Sequence, residues 1–257
     1  MLAHLLPRLP SDIAARRYIE PFLGGGALFF ALRPAAAVLG DVNPQLCATY
    51  RAVRDEVGVV CAYLGGLARA HSRLHYYGVR EQYNQEAELA PALRAAMFLY
   101  LNKTCFNGLH RVNRRGEFNV PVGRYAEPTI LNEVQLRAAS VELQRAELRC
   151  ADFRTLTTVA GAGDFVYLDP PYPPVSATAC FAQYTQSPFG REEHVALRHV
   201  FGELDRRGCK LMLSNADLPW LRDLYGDYRL ESVPARRSIN SNVRKRGAIA
   251  ELVIRNY

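Results

Sequence analysis

Four consecutive residues, Asp169-Pro170-Pro171-Tyr172, follow the apolar run Phe165-Val166-Tyr167-Leu168, which reads as a short buried strand. Each proline fixes φ and neither carries an N–H, so the tetrapeptide is a rigid strand end. It holds an acceptor set, the Asp169 carboxylate and the neighbouring carbonyls, at a fixed separation from the aromatic face of Tyr172. Such an arrangement suits a flat heterocycle bearing an amino group. The ring lies on Tyr172, and the amino hydrogens meet the Asp-Pro oxygens. A proline-rich strand end with a packed tyrosine would use the same residues, so other segments must decide between the two readings.

A second group lies near the start. Tyr18-Ile19-Glu20-Pro21-Phe22-Leu23-Gly24-Gly25-Gly26 reads as a strand running into a glycine loop, with Ala27 to Leu32 opening a helix. Glycines there let a ligand lie against backbone at a helix N-terminus. Asp41 ends the next short strand, 17 residues beyond Gly24, where α/β folds grip a ribose diol. Loop and acid together point to an adenosine-bearing cofactor. The G-x-G-x-x-G spacing of dinucleotide binders is absent, which argues against NAD.

A third group, from about residue 101 to 125, mixes arginine, asparagine, glycine and aromatic residues without a hydrophobic period. It reads as a DNA-contacting segment. Phe106 and Asn107 form a short tip able to wedge into a base stack vacated by a flipped base. Arg111 is the candidate for a bidentate guanine contact, and Leu109 with Pro121 could touch a thymine methyl. Arg124 and Tyr125 suit phosphate.

The elements that must position these groups follow from hydrophobic patterning. Short apolar runs recur at Tyr18-Ile19, Val38-Leu39, Leu148 to Cys150, Phe165 to Leu168, Lys210 to Ser214 and Leu252 to Ile254. Helical stretches lie between several of them, at Ala27 to Leu32, Leu131 to Ala146 and Arg191 to Arg206. This alternation predicts an α/β fold with a mostly parallel sheet. Helical patterns at Leu46 to Leu67 and Pro91 to Leu101 predict a mainly helical insertion after the second strand. The expected division is 1–44 with 132–257 for the catalytic, cofactor-binding domain, and 45–131 for target recognition.

Composition is consistent with this. The chain has 257 residues, 49% hydrophobic and 22% charged, with net charge +7. Arg111, Arg114, Arg115 and Arg124 cluster in one polar stretch, and Arg236, Arg237, Arg244, Lys245 and Arg246 in another. Only three residues are lysine, so the positive charge is nearly all guanidinium, the group suited to phosphate and guanine. The six cysteines contain no C-x-x-C pair and read as small buried apolar residues. His71 and His75 are four apart on a predicted helix, but no acidic partner completes a metal motif, and no metal is expected. No apolar run reaches membrane-span length, and the first ten residues lack the charged flank of a signal peptide, so a cytoplasmic protein is expected. The sequence does not give the oligomeric state, and a monomer is the favoured expectation.

The combination of Glu20 to Gly26, the stretch Leu101 to Tyr125, Val166 to Pro174 with Ser176 to Ala179 following, and the ending Arg236 to Asn242 with Glu251 to Tyr257 resembles the Dam-type adenine-N6 DNA methyltransferases. The likeness runs over nearly the whole chain. It implies a Rossmann-like methyltransferase sheet with an inserted target-recognition domain, S-adenosylmethionine as cofactor and double-stranded DNA, at GATC or a related site, as substrate. By the resemblance Asp169, Pro170, Pro171 and Tyr172 are catalytic. Glu20, Pro21, Phe22, Gly24, Gly26 and Asp41 would line the cofactor, with Asp152 and Phe153 bordering its adenine and Asp169 its reactive end. Asn113 would join Phe106, Asn107, Leu109, Arg111, Pro121, Arg124 and Tyr125 on DNA. One departure stands out. The family carries a Trp-Ala-Gly-Gly-Lys segment ahead of the first strand, whereas the only tryptophan here is Trp220. Weakened cofactor affinity and slackened choice at the first base are expected from that. A catalytically weak DNA-binding protein and an RNA adenine methyltransferase are the alternative readings.

Overall fold

The computed structural model describes residues 1–113, 115–173, 189–235 and 249–257. Arg114, the residues 174–179 that follow Asp-Pro-Pro-Tyr, Cys180 and the basic cluster Arg236 to Arg246 lie outside the described residues. The elements run α1 (Leu2–Leu5), β1 (Tyr18–Glu20), α2 (Ala27–Leu32), β2 (Ala37–Asp41), α3 (Pro44–Arg69), α4 (Arg73–Gln85), α5 (Pro91–Thr104), α6 (Glu133–Leu143), β3 (Ala146–Cys150), α7 (Phe153–Leu156), β4 (Phe165–Leu168), α8 (Arg191–Arg206), β5 (Lys210–Ala216), α9 (Pro219–Leu224), β6 (Arg229–Ala235) and β7 (Ile249–Arg255). They fall into two units, one holding the first 42 residues with the described chain from residue 145 onward, the other residues 43 to 144.

The first unit is a mixed α/β body around a seven-stranded sheet of order β3-β2-β1-β4-β5-β7-β6. β3, β2, β1, β4 and β5 are parallel, and β7 is antiparallel to both neighbours. From β1 the chain winds outward in one direction to β2 and β3, then in the other to β4 and β5. The carboxyl ends of β1 and β4 therefore diverge into loops on adjacent strands, which is where open α/β sheets hold ligands. Register fixes the neighbours, with Tyr18 opposite Phe165 and Leu168 opposite Leu213.

Strand alternation assigns the two faces. Val166 and Leu168 join Leu211, Leu213, Leu252 and Ile254 in one core with Leu197, Phe201 and Leu204 of α8. Those three α8 residues, with His194, recur at helical spacing and are all buried. Burying each apolar side chain stabilises by roughly 1.5–3 kcal/mol, so this face holds α8 to the sheet. Tyr18 and Phe165 face the other way, with ring centroids 5.9 Å apart.

In the second unit α3, α5 and α6 pack together and α4 packs on α5. Asn43 caps α3 by accepting from the Gln45 and Leu46 amides, and Pro44 occupies its first turn, so α3 starts earlier than the pattern from Leu46 suggests. Ser72 caps α4 in the same way, accepting from the His75 amide.

Several elements differ from the sequence reading, among them the short helices α1, α7 and α9, which it did not include. The helix expected over 131–146 is shorter, because Ala146 pairs with Ala37 and belongs to β3. α4 was foreseen only around His71 and His75. β6 was not foreseen. It carries Arg229, Glu231 and Pro234, which mask a strand signal, yet an edge position tolerates both the charges and the missing N–H.

Candidate active site

Asp169 is the first residue beyond β4 and continues the alternation of Phe165 and Tyr167. The register that sets Leu168 beside Leu213 brings Ser214 of β5 next to it. The buried Ser214 hydroxyl donates to Asp169 Oδ1 at 2.6 Å and lies 2.8 Å from the Tyr167 hydroxyl. Crowding by protein, and after it the negative charge of Glu251, pushes the Asp169 carboxyl from its ordinary 3.8 up to about 6, against the Ser214 hydrogen bond. The residue remains solvent-accessible, so it keeps hydration that a covering ligand would strip. Pro170 is buried, while Tyr172 is half-buried and its hydroxyl donates to Glu251 Oε2 of β7 at 3.2 Å. The Tyr172 ring is thus tethered at its far end.

Behind Pro171 lies His194 of α8, 1% exposed, with Phe189 at 4.8 Å and Trp220 at 5.5 Å between ring centroids. Burial pulls its pKa down to about 4, so it is a neutral packing residue at physiological pH.

Beyond β1, Gly24 and Gly26 adopt φ of 46° and 63°, a conformation that disfavours side chains. A Cβ at Gly24 or Gly25 would meet nothing within 4 Å, so open space lies against this backbone. The loop is closed by the Leu23 amide donating to the Gly40 carbonyl at 2.8 Å and the Gly24 amide donating to Asp41 Oδ2 at 3.1 Å. Asp41 is 5% exposed, so it shapes the loop as well as standing beside it. Gly40 is needed for a separate reason, since a Cβ there would lie 2.4 Å from the buried Leu156 side chain. Glu20 is 2% exposed and accepts from the Tyr18 hydroxyl at 2.9 Å. Burial raises its carboxyl well above the ordinary range, and nearby Asp169 and Asp41 add to the rise against that hydrogen bond. Three carboxyls at adjacent strand ends make a site whose chemistry favours a cation.

Phe22 stacks on Phe153 with centroids 5.3 Å apart, and Phe189 meets Phe22 edge-on at 5.7 Å. Phe153 is 3% exposed. Asp152 caps α7 by accepting from the Arg154 amide and also pairs with the Arg154 guanidinium. Pro21 is buried.

The DNA-segment residues all fall in the second unit. Phe106 is exposed at the head of a turn in which Asn107 and Gly108 both have positive φ, 54° and 61°. Asparagine tolerates that region better than most residues. The turn is pinned by the Phe106 amide donating to the Pro121 carbonyl at 2.9 Å and by the Cys105–Val122 bridge. Asn107, Arg124 and Tyr125 share a groove of about 670 Å³ with Asn102 and Lys103. Phe106, Pro121 and Arg124 share another of about 430 Å³ with Arg73 and Tyr77 of α4. Arg111 lines neither groove. Its guanidinium donates to Asn119 Oδ1 at 2.8 Å and to the Asn119 carbonyl at 3.3 Å. Asn113 ties its own turn, accepting from the Arg115 and Glu117 amides and donating to Glu117 Oε2 at 2.7 Å. Leu109 is half-buried.

The sequence reading missed Ser214, Glu251 and Asn119 as partners, together with Arg73 and Tyr77. For Ser214 a signal existed, since it is a polar residue ending the apolar run of a strand beside Asp169. Among the described residues no group of three or more His, Cys, Asp or Glu is placed to hold a metal ion, and no helix is long and apolar enough to cross a membrane.

Residues 1–239 match the family model described as D12 class N6 adenine-specific DNA methyltransferase. The chain is 36% identical to the type II methyltransferase M.MjaIII of Methanocaldococcus jannaschii, over all of this chain and 95% of that protein. It is also 36% identical to the type II methyltransferase M1.LlaDCHI of Lactococcus lactis subsp. cremoris, over all of this chain and 91% of that protein. Identity to the DNA adenine methylase of Escherichia coli K12 is 35%, over 91% of this chain and 84% of that protein. With its Asp-Pro-Pro-Tyr and glycine-loop segments on adjacent parallel strands, and with relatives of this kind along its length, the chain belongs to the D12 class of N6 adenine-specific DNA methyltransferases.

Proposed function

We propose that the protein transfers a methyl group from S-adenosylmethionine to N6 of an adenine flipped out of double-stranded DNA, within GATC or a related site. Residues 45–131 would serve as the target-recognition domain and the remainder as the catalytic domain. The observation that carries this reading is the acceptor at Asp169, held by Ser214 at 2.6 Å beside the tethered ring of Tyr172. The adenine ring stacks on Tyr172, and its amino hydrogens reach the Asp169 carboxylate and the Pro170 carbonyl. Accepting those hydrogens draws the nitrogen lone pair out of conjugation with the ring and aims it away from them. Much of the catalysis is positioning, which is worth several kcal/mol when reacting groups are pre-aligned. A carboxylate raised to about 6 is also a better proton acceptor than an ordinary one as the nitrogen sheds its hydrogen.

The residues present fit the cofactor. S-adenosylmethionine, when bound, supplies an electrophilic methyl on a positively charged sulfur. The acidic set Glu20, Asp41 and Asp169 complements that charge. Gly24 and Gly25 leave room against backbone, and Asp41 stands where a ribose diol is gripped. Phe22, Phe153 and Asp152 border the same end of the sheet and suit the adenine side. In the second unit Phe106 and Asn107 act as the wedge that takes the place of the flipped base. Arg111 reads guanine, Leu109 and Pro121 touch a thymine methyl, and Asn113, Arg124 and Tyr125 hold the backbone. A nucleoid location in the cytoplasm follows from such a substrate.

The test is incubation of the purified chain with labelled S-adenosylmethionine and duplexes carrying GATC or single-base variants of it. N6-methyladenine released on nuclease digestion, strongest for GATC and absent with Asp169→Ala, is expected. Label on a different base, or full activity of Asp169→Ala, would overturn the assignment.

A further inference from the structure

We infer that Ser214, backed by Tyr167, is a positioning residue that holds Asp169 as a hydrogen-bond acceptor pointed at the substrate amino group. This rests on the role proposed for Asp169. The argument is one of hydrogen counting. A serine hydroxyl has one hydrogen to give. Ser214 gives it to Asp169 Oδ1, at a 2.6 Å separation typical of an O–H group bonded to a carboxylate. The Tyr167 hydroxyl, 2.8 Å from Ser214 Oγ, must then be the donor in its own contact. The chain therefore runs one way, from Tyr167 to Ser214 to Asp169. Tyr167 is 3% exposed and Ser214 fully buried, so water does not compete for either hydroxyl.

That polarity selects one protonation state. An ionised Asp169 completes the chain, whereas a protonated one weakens the Ser214 contact or places its own hydrogen where the substrate amino hydrogen is to be received. The surroundings otherwise push towards protonation. Crowding acts first and Glu251 of β7 adds like charge, while Ser214, the Tyr172 hydroxyl and the α-amino group of Met1 oppose it. Glu20 of β1 is a further carboxyl coupled to Asp169. The position is set by strand register, because β4 and β5 pair in parallel with Leu168 beside Leu213. A serine at the next position of β5 is thereby delivered to the residue after β4.

The experiment is a pH profile of kcat and KM for the GATC duplex, from pH 5 to 9, with Ser214→Ala, Ser214→Thr and Tyr167→Phe in the full chain. Losing the donor raises the acid limb of kcat by about one pH unit in Ser214→Ala, so kcat below that limb falls about tenfold while KM for DNA is little changed. Ser214→Thr keeps the hydroxyl and restores the limb. Tyr167→Phe moves it in the same direction by a smaller amount. Thermal melting of each variant confirms that it is folded. An unmoved limb in folded Ser214→Ala, or a folded Ser214→Thr that behaves like Ala, overturns the inference. If Asp169→Ala is inactive while Ser214→Ala is unshifted, only this inference falls. If Asp169→Ala is active, the proposed role of Asp169 falls first.

Discussion

Replacing Asp169 by Asn keeps the shape of the side chain and removes its charge, and the outcome is expected to be a more stable, inactive protein. The carboxyl is raised from 3.8 to about 6, so the folded chain holds its proton more tightly than the unfolded chain. The unfolded state then binds fewer protons than the folded one between those values, and the wild type loses stability as pH rises through that window. Above about 6 the full cost is present. The rise corresponds to roughly 3 kcal/mol at about 1.4 kcal/mol per tenfold change in proton affinity. Asp169 is solvent-accessible, and screening by water reduces this to about 1 kcal/mol. Asn retains an oxygen to accept the Ser214 hydrogen, so little is lost in exchange. About 1 kcal/mol moves the melting temperature of a chain this size by about 2–4 °C. Thermal unfolding at pH 7.5 should therefore show Asp169→Asn melting higher than wild type by that amount, with the gain roughly halved at pH 5. A mutant that melts lower at pH 7.5, or whose advantage does not shrink on acidification, would refute the view that the site is held ionised at a cost.

Tyr172→Ala should cost about 1–3 kcal/mol in transition-state stabilisation through lost stacking; Tyr172→Phe, which loses only the 3.2 Å bond to Glu251, should cost far less in a kcat/KM comparison. A Phe variant as poor as Ala would make the hydroxyl, and not the ring, the working part. Asp41→Ala should weaken S-adenosylmethionine binding in titration calorimetry with little change in DNA affinity, and a loss confined to DNA binding would place Asp41 elsewhere. Arg111→Ala should cost about 1–3 kcal/mol and relax discrimination at one base pair, and Asn119→Ala should reproduce part of that by loosening the guanidinium it braces. Arg124→Ala should weaken all duplexes alike and lower the salt slope by about one, and a base-selective loss would reverse the two assignments.

The chemistry-bearing segments were legible because they are local. Two prolines after an apolar run, and glycines after another, constrain backbone wherever they occur, and parallel strands place such loops at one sheet edge. The partners that tune those segments were not legible. Ser214 lies 45 residues from Asp169, and Glu251 lies 79 from Tyr172. They meet only through strand register, which no local pattern encodes. Asp41 and Asn113 carried a different ambiguity, since both also tie their own loops, and sequence cannot separate a ligand-facing acid or amide from one that closes a turn. β6 hid because its charges and proline are permitted only by an edge position that the sheet order reveals.

That order also governs when the sheet can close. β7 lies between β5 and β6, so two ladders of the sheet stay open until Ile249–Arg255 has been made. The helices of the other unit, α3 to α6, all precede β7 in the chain and can form as they leave the ribosome. A nascent chain would therefore hold those helices before Glu251 exists to accept from the Tyr172 hydroxyl. The bond that tethers the Tyr172 ring is thus a late event of synthesis, made only when β7 closes the sheet between β5 and β6.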